Sequence, residues 1–232
     1  MEQQGSSRIE VAMAKDATIG RQSETHTPHV HIYIDGISRA RGPFGEVLRG
    51  HLASLPRMGQ EIRTFGDPVL KSAAAPITDI DGKVVRLVDE MFDTLVHSDG
   101  GIALAAPQIG VRRQVFVWDL DGERHVVFNP EIVESDGEWV YDEGCLSIPG
   151  LFVEIVRPKT VLMRGISLDG NEVEFEADEL EARMYQHELD HLHGVLMFDR
   201  MTPDQRRDAL AEYHELQNAP APTRRPRRLR LR

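Results

Sequence analysis

The residues most able to do chemistry in this chain are two histidines separated by three residues, with a glutamate directly after the first. His187, Glu188 and His191 stand in the stretch Gln-His-Glu-Leu-Asp-His. On a helix, residues four apart lie on one face, so both imidazole rings can reach a single metal ion. The glutamate then stands where it can take a proton from a water molecule that the metal activates. The pattern predicts a metal-dependent hydrolase but does not say which kind.

A catalytic site of this type normally takes a third protein ligand. Zinc proteases find it downstream, but Met197 stands where a third histidine would follow Gly194. The acidic alternatives, Glu212 and Glu215, lie in a charged segment that is typical of a separate surface helix. The only cysteine, Cys145, is a better candidate, because a thiolate is a strong, soft ligand. A lone cysteine is also commonly a small buried apolar residue, so both interpretations stay open at this point.

A third motif is a run of small residues that ends in an amide side chain, Gly-Ile-Ala-Leu-Ala-Ala-Pro-Gln at residues 101–108. Together with Glu-Gly-Cys-Leu-Ser at residues 143–147 and the helical motif at residues 186–191, it resembles the three motifs of the bacterial-type peptide deformylase family. The second and third motifs match that family's pattern in full. The first departs at Ala103, where the family has its second glycine. The resemblance covers about residues 58–217.

The resemblance implies an enzyme that removes the formyl group from the N-terminal formylmethionine of newly made proteins. The site residues that it implies are Cys145, His187 and His191 as metal ligands, Glu188 as the base, and the Gln108 side chain and Leu146 backbone N–H as oxyanion donors. Each such donor stabilises a transition state by about 3 kcal/mol. Gln108 has a second interpretation, as an amide that only holds its own loop in place.

A methionine substrate needs an apolar slot beside the metal. Met184 and Leu180 precede His187 by three and seven residues, so both lie near the metal-facing stripe of the predicted helix. Ile102 and Tyr141 match pocket positions of the family, and the backbone at Ala103 lies against the substrate there. The predicted pocket residues are Ile102, Ala103, Tyr141, Leu180 and Met184. Each apolar side chain could instead belong to the ordinary core, and the extra methyl group of Ala103 is expected to alter rate or substrate preference.

The type of metal is not decided by the ligand set. A thiolate with two imidazoles accepts zinc, iron, nickel or cobalt. The resemblance implies one divalent ion per chain, Fe²⁺ in first place, with Zn²⁺, Ni²⁺ or Co²⁺ as alternatives. Asp190 points away from the metal face, and the resemblance places Arg157 close to the helix, which predicts an ion pair between them. His193 lies on another face of the helix and is expected to be solvated.

Composition places limits on localisation and partners. A single cysteine excludes an intrachain disulfide framework and favours a reducing, cytoplasmic environment. No apolar run approaches the ~20 residues of a membrane span, so no membrane partner is expected. The net charge of −11 argues against a general nucleic-acid binder. Six arginines in residues 223–232 nevertheless form a basic end, which predicts a contact with the ribosome beside the N-formylmethionyl peptide substrates.

The chain divides into three parts. Residues 1–57 lack sustained periodicity and a secretory or transit pattern, which predicts a disordered extension or a misassigned start before Met58. A short strand at residues 30–34 is the one element predicted there. Residues 58–217 are the predicted catalytic domain, and residues 218–232 a basic flexible tail.

Within the domain, apolar spacing predicts a helix over residues 84–96. The predicted strands are Val115–Trp118, Arg124–Val133, Thr160–Leu168 and Glu172–Glu176. A metal helix capped by Asp178 should end at Gly194, and a last helix should run from the Thr202 cap to about Gln217. Strands and helices that do not alternate indicate an α+β fold. The resemblance implies antiparallel strands around a central metal-binding helix.

Three functional interpretations remain open from the sequence. The first is a deformylase. The second is a metalloprotease, which Met197 and the better ligand at Cys145 disfavour. The third is a catalytically silent binding protein that keeps the fold, with or without a metal, and the full ligand set together with Glu188 argues against it. The departure at Ala103 also leaves open a catalytically weakened deformylase-like paralogue.

Overall fold

The computed structural model describes residues 59–98, 100–120 and 122–219. The predicted extension, its short strand and nearly all of the basic tail lie outside these residues. The helices are α1 (Gly82–Val96), α2 (Glu179–Leu192) and α3 (Pro203–Asn218), and short 3-10 helices span Pro68–Lys71, Ala106–Ile109 and Met197–Arg200. The strands are β1 (Ala103–Ala105), β2 (Val115–Leu120), β3 (Glu123–Asp136), β4 (Trp139–Cys145), β5 (Ile148–Arg157), β6 (Thr160–Ile166) and β7 (Glu172–Asp178).

The strands form two antiparallel sheets. One has five strands in the order β1-β2-β3-β6-β7, and the other is the β4–β5 hairpin. Helices and strands are not interleaved in a regular βα pattern, and the predicted α+β class is confirmed. The hairpin turns at Leu146 and Ser147, immediately after the cysteine of the second motif.

The metal-motif helix α2 packs against β1, β2, β3, β6 and β7, so the predicted central helix is confirmed. Its apolar side is held by Tyr185, whose ring lies edge-on to Trp118 with 5.3 Å between centroids. Phe116 on β2 is completely buried in the same cluster. Burying a side chain of that size stabilises the fold by about 3 kcal/mol. The rigid sheet therefore fixes the helix that carries the motif.

Both ends of α2 lie where the sequence predicts them. Asp178 occupies the N-cap position, but its side chain makes no capping hydrogen bond, contrary to the prediction. Acidic residues in the first turn still complement the positive end of the helix dipole. Gly194 follows the helix with φ of 72°, and a Cβ there would lie 2.8 Å from the backbone of Lys71. Only glycine fits this position without strain.

The last helix begins at the predicted cap. Thr202 Oγ1 accepts a hydrogen bond from the Gln205 backbone N–H at 3.3 Å. The Gln205 side chain does not return to the cap but donates to the Glu154 carbonyl, so α3 is attached to β5. The predicted β6 strand ends at Ile166 rather than Leu168, because the turn closes with a bond from Ser167 N–H to the Asn171 carbonyl. Strands β1, β4 and β5 were not predicted from periodicity.

Candidate metal centre and active site

The three predicted metal ligands come together from two elements. Cys145 ends β4, and His187 and His191 lie one turn apart on α2. Their ligand atoms all lie within 4.8 Å of one another, and Cys145 Sγ is 3.3 Å from His191 Nε2. Among the described residues, this is the one cluster of at least three potential metal-binding side chains. A thiolate and two imidazoles converging in this way fit one transition-metal ion.

The orientation of the first imidazole supports the same use. His187 Nδ1 is 2.7 Å from Glu143 Oε1, so Nε2 is the nitrogen that remains for a metal ion. Metal-binding histidines commonly hold a carboxylate through their second nitrogen, which fixes the tautomer and ring direction. His191 is buried, and its Nδ1 has no hydrogen-bond partner among the described residues.

Glu143 is held by two arginines as well as by His187. It accepts bonds from Arg157 Nε at 2.7 Å and Nη2 at 2.6 Å, and from Arg183 Nη1 at 2.9 Å. Only 4 % of Glu143 is exposed, and burial alone would raise its pKa. The hydrogen bonds from Arg157 and His187 outweigh burial and hold the pKa well below its usual value. Glu143 therefore stays ionised behind His187, a predicted metal ligand.

The ion-pair network continues outward to the protein surface. Arg157 Nη1 donates to Asp190 Oδ2 at 2.9 Å, which confirms the predicted ion pair. Arg200, about half exposed, donates to both oxygens of Asp190. His193 is exposed, as predicted, and takes no part in the network. The network thus links a surface arginine to the predicted metal ligand His187.

Glu188 is buried to the same extent as Glu143 but has a different environment. Its Oε2 has no hydrogen-bond partner among the described residues. Burial raises its pKa to about 7, although the positive charges of His187 and Arg157 act in the opposite direction. A carboxyl group with a pKa near neutrality can take up and release a proton at working pH. It lines the same cavity as Cys145 and His187.

Gln108 is oriented by its own loop. Its Oε1 accepts from the Ala105 N–H at 2.8 Å, and its Nε2 lies 3.3 Å from Ser147 Oγ and 3.9 Å from Cys145 Sγ. The amide donor end therefore faces the cysteine. The loop-holding contact and the donor position exist together, so the two interpretations of Gln108 do not exclude each other. Leu146, in the hairpin turn, also lines the cavity.

The site opens into a cavity of about 1120 Å³. Four of the five predicted pocket residues line it, namely Ile102, Ala103, Leu180 and Met184. Tyr141 is not among the lining residues, and its pocket role stays a prediction. Its ring stacks on Trp139, two residues earlier on the same side of β4, with centroids 4.6 Å apart.

Two functional residues were missed by the sequence reasoning. Glu143 received no role, although it lies two residues before Cys145 and so on the same side of a strand. Arg183 precedes His187 by four residues and so lies on the same helix face. It lines the cavity, is buried, and sits over the Trp139 ring at 5.2 Å. Both spacings were signals that the sequence contained.

Comparison with known proteins decides the family. Residues 59–207 match the family model described as polypeptide deformylase. The chain belongs to this family. The peptide deformylase of Thermotoga maritima is 45 % identical over 146 residues, which are 62 % of this chain and 88 % of the relative. That of Acidothermus cellulolyticus is 44 % identical over 154 residues, 66 % of this chain and 85 % of the relative.

Solved structures agree with the family assignment. The peptide deformylase of Legionella pneumophila superposes with a TM-score of 0.66 at 35 % identity, covering 70 % of this chain and all of that one. The Thermus thermophilus enzyme gives 0.64 at 37 % identity, covering 69 % and 98 %. A third similar structure, from Synechococcus elongatus, is a complex with actinonin, with a TM-score of 0.64 at 35 % identity, covering 67 % and 88 %.

The chain is therefore an enzyme, a hydrolase of formylmethionine groups, with a potential metal site of one cysteine and two histidines. The metalloprotease interpretation is not favoured. Within the described residues, no helix combines the length and apolar character needed to span a membrane.

Proposed function

We propose that formyl groups are removed in this cavity, on N-formylmethionyl peptides, with Cys145, His187 and His191 as the metal ligands. The observation that carries the proposal is the buried Glu188 Oε2, which has no hydrogen-bond partner among the described residues and lies in the cavity that Cys145 and His187 also line. A structural carboxylate at this depth would be expected to be fully hydrogen-bonded. An unpaired oxygen is instead available to a reacting proton.

The reaction adds water across the formamide and breaks its carbon–nitrogen bond. A divalent metal bound by the three ligands would supply Lewis-acid activation of water and of the formyl oxygen. Glu188 takes the proton that the attacking water loses and delivers it to the departing amine nitrogen. The products are formate and a peptide with a free N-terminal methionine, so atoms and charge balance.

The negative charge that develops on the formyl oxygen needs donors aimed at it. We assign this role to the Gln108 Nε2 amide and the Leu146 backbone N–H. The amide is already turned toward Cys145, and its other end is fixed by the Ala105 N–H, so little reorganisation is needed. A preorganised donor of this type contributes about 3 kcal/mol to the stability of the transition state.

The apolar wall beside the metal-ligating group would receive the methionine side chain. Met184 is buried there, and Ile102 and Leu180 are about half exposed at the rim. Ala103 is also buried in the wall, so its methyl group fills space that a glycine would leave open. We expect Ala103→Gly to change the relative rates on different formyl peptides more than the folding of the domain.

Ferrous iron is the proposed native metal, with zinc, nickel or cobalt as functional replacements, because all four accept a thiolate and two imidazoles. The test is anaerobic purification, metal analysis and turnover of formyl-Met-Ala-Ser. Cys145→Ala should lose both metal and activity. His193→Ala, at the C-cap of the same helix but exposed, is the matched control and should keep both. A full equivalent of metal in the cysteine variant would overturn the ligand assignment.

We further propose a cytoplasmic enzyme that meets its substrate at the ribosome, with the basic residues 223–232 touching ribosomal RNA. Six arginines against phosphates would give steep salt dependence. The full chain should co-sediment with ribosomes at low salt, and a chain ending at Gln217 much less. Equal sedimentation of the two chains would show that the basic tail does not contribute to ribosome binding.

We propose residues 58–217 as the catalytic domain. A chain that starts at Met58 should keep the melting temperature and activity of the full chain. A large loss of either would show that residues 1–57 contribute to the domain.

A further inference from the structure

The outer face of the β4–β5 hairpin is an exposed sheet face without a packing partner among the described residues. We define the outer hairpin face by Val140, Asp142, Phe152, Glu154 and Val156. These residues alternate along their strands and stand opposite one another, with Val140 paired to Val156 and Asp142 to Glu154. Side chains two apart on a strand share a face. The three apolar side chains are 53 %, 69 % and 55 % exposed, an unusual amount for large hydrophobic groups.

The two carboxylates at the centre of this face repel each other. Like charges directly opposite in an antiparallel pair destabilise a sheet. Neither Asp142 nor Glu154 has an ion-pair partner within residues 59–98, 100–120 and 122–219. A face with two unpaired carboxylates between large apolar side chains is complementary to a segment that carries both cations and apolar groups.

The chain itself contains such a segment. Residues 223–232 carry six arginines and no acid, and their last five residues alternate as Arg-Leu-Arg-Leu-Arg. In an extended conformation, alternation places the arginines on one side and Leu229 and Leu231 on the other. We propose that residues 223–232 dock on the outer hairpin face of the free enzyme, with arginines at Asp142 and Glu154 and leucines against the apolar side chains.

Helix α3 directs the tail to this face. Gln205, near its start, donates to the Glu154 carbonyl, so the helix lies along β5. Leu216, near its end, has Cδ1 3.8 Å from where a Cβ on Gly150 would stand, and Gly150 is two residues from Phe152. The six residues from the helix end at Asn218 to position 224 can span up to about 20 Å. Gly150 and Glu154 are separated by about 13 Å of strand.

Other occupants fit less well. A second copy of the chain in a symmetric contact would bring four carboxylates together, and a nucleic acid would meet the same repulsion. A second acidic groove lies on the large sheet, lined by Glu134, Asp136 and Glu176. Charge alone would attract the tail there equally, but that groove has no large exposed apolar side chain. The leucines and the position of the helix end favour the hairpin.

Docking there has a consequence for the site. Asp142 and Phe152 belong both to the outer hairpin face and to the lining of the catalytic cavity. A docked tail therefore lies beside the cavity mouth and covers apolar surface in the free enzyme. Engagement of the same arginines by phosphates would uncover that surface. The proposal concerns the free chain and stands whether or not ribosome binding is confirmed.

The test uses the full-length chain with isotope-labelled Val and Leu methyl groups. A tail variant with all six arginines changed to glutamine is compared with the natural chain at low salt. The Val140 and Val156 methyl resonances should shift between the two chains, while those of Leu162, in the second acidic groove, should not. In about 0.5 M salt, where the Debye length is only a few ångström, the difference should largely disappear.

Two further variants assign the contact. Asp142→Asn with Glu154→Gln should reproduce the shifts seen in the arginine variant, whereas the matched pair Glu134→Gln with Glu176→Gln should not. Identical Val140 and Val156 resonances with and without the arginines would overturn the proposal. Movement of Leu162 instead would place the tail in the other groove. Shifts that depend on protein concentration would show that a second copy of the chain, and not the tail, occupies the outer hairpin face.

Discussion

Two glutamates beside the potential metal site are equally buried but have opposite electrostatic environments. Glu143, on the hairpin, accepts bonds from two arginines and His187, and its pKa is held well below the usual value. Glu188, on the helix, has an Oε2 without a hydrogen-bond partner in the part of the chain that the structure describes, and burial raises its pKa to about 7. Burial opposes ionisation at both positions, so the hydrogen-bond partners decide the outcome.

The different environments of Glu143 and Glu188 suit two different roles, which one kind of environment could not serve. A carboxylate that orients a histidine must stay charged, and its cost of burial is offset by fixed donors. A carboxyl that transfers protons must be able to hold a proton near neutral pH, so it needs a buried position with few donors. The hairpin supplies the first environment and the helix supplies the second.

The largest expected effect is that of Glu188→Gln. The amide keeps the shape of the side chain but cannot transfer the proton, so turnover should fall by about 10² or more while the metal content stays at one equivalent. Glu179→Gln, in the exposed first turn of the same helix, is the matched control and should be nearly normal. Near-normal turnover in Glu188→Gln would show that another group transfers the proton.

Glu143→Gln tests the other carboxylate. The substitution removes the charge that pairs with Arg157 and Arg183 and the strong acceptor for His187. Metal affinity, measured by competition with a chelator, should weaken by about 10- to 100-fold. The apparent melting temperature should also fall, because Arg183 loses its buried counter-charge and Arg157 keeps only Asp190. The exposed Glu131→Gln on β3 serves as control. Unchanged metal affinity would show that Glu143 only stabilises the fold.

The smallest effect is expected at the outer end of the network. Arg200→Ala removes a half-exposed donor from Asp190, which keeps its bond from Arg157. Solvent screens such pairs, so the free energy of unfolding should fall by about 1 kcal/mol or less, with kcat unchanged. Chemical denaturation and formyl-peptide turnover measure the two quantities. A large loss of kcat would mean that the placement of the metal ligands depends on the Arg200–Asp190 contact more strongly than the geometry implies.

The sequence predicted what depends on local spacing. Two histidines four apart must share a helix face, and Gly194 must end that helix, so both follow from short-range rules. The sequence also predicted the ligand role of Cys145, but only through the resemblance between motifs. Long-range convergence has no local signature: nothing in the spacing alone says that residue 145 meets residue 191.

The failures have the same physical origin. The Asp178 cap was predicted from residue type, but its side chain makes no bond to the helix. Glu143 was overlooked because its role depends on partners at residues 157, 183 and 187, which become neighbours only in the folded chain.

The close approach of Gly194 to Lys71 has a consequence for how the domain is made. The Ala74 N–H donates to the Leu192 carbonyl, and Lys71 pairs with Asp199 across 128 residues of sequence. Contacts of such separation form late, because the loop between them must close first. The end of the metal helix is therefore completed only when the first and last parts of the domain are both present. A chain still emerging during its own synthesis would carry the histidine motif before it had a finished active site.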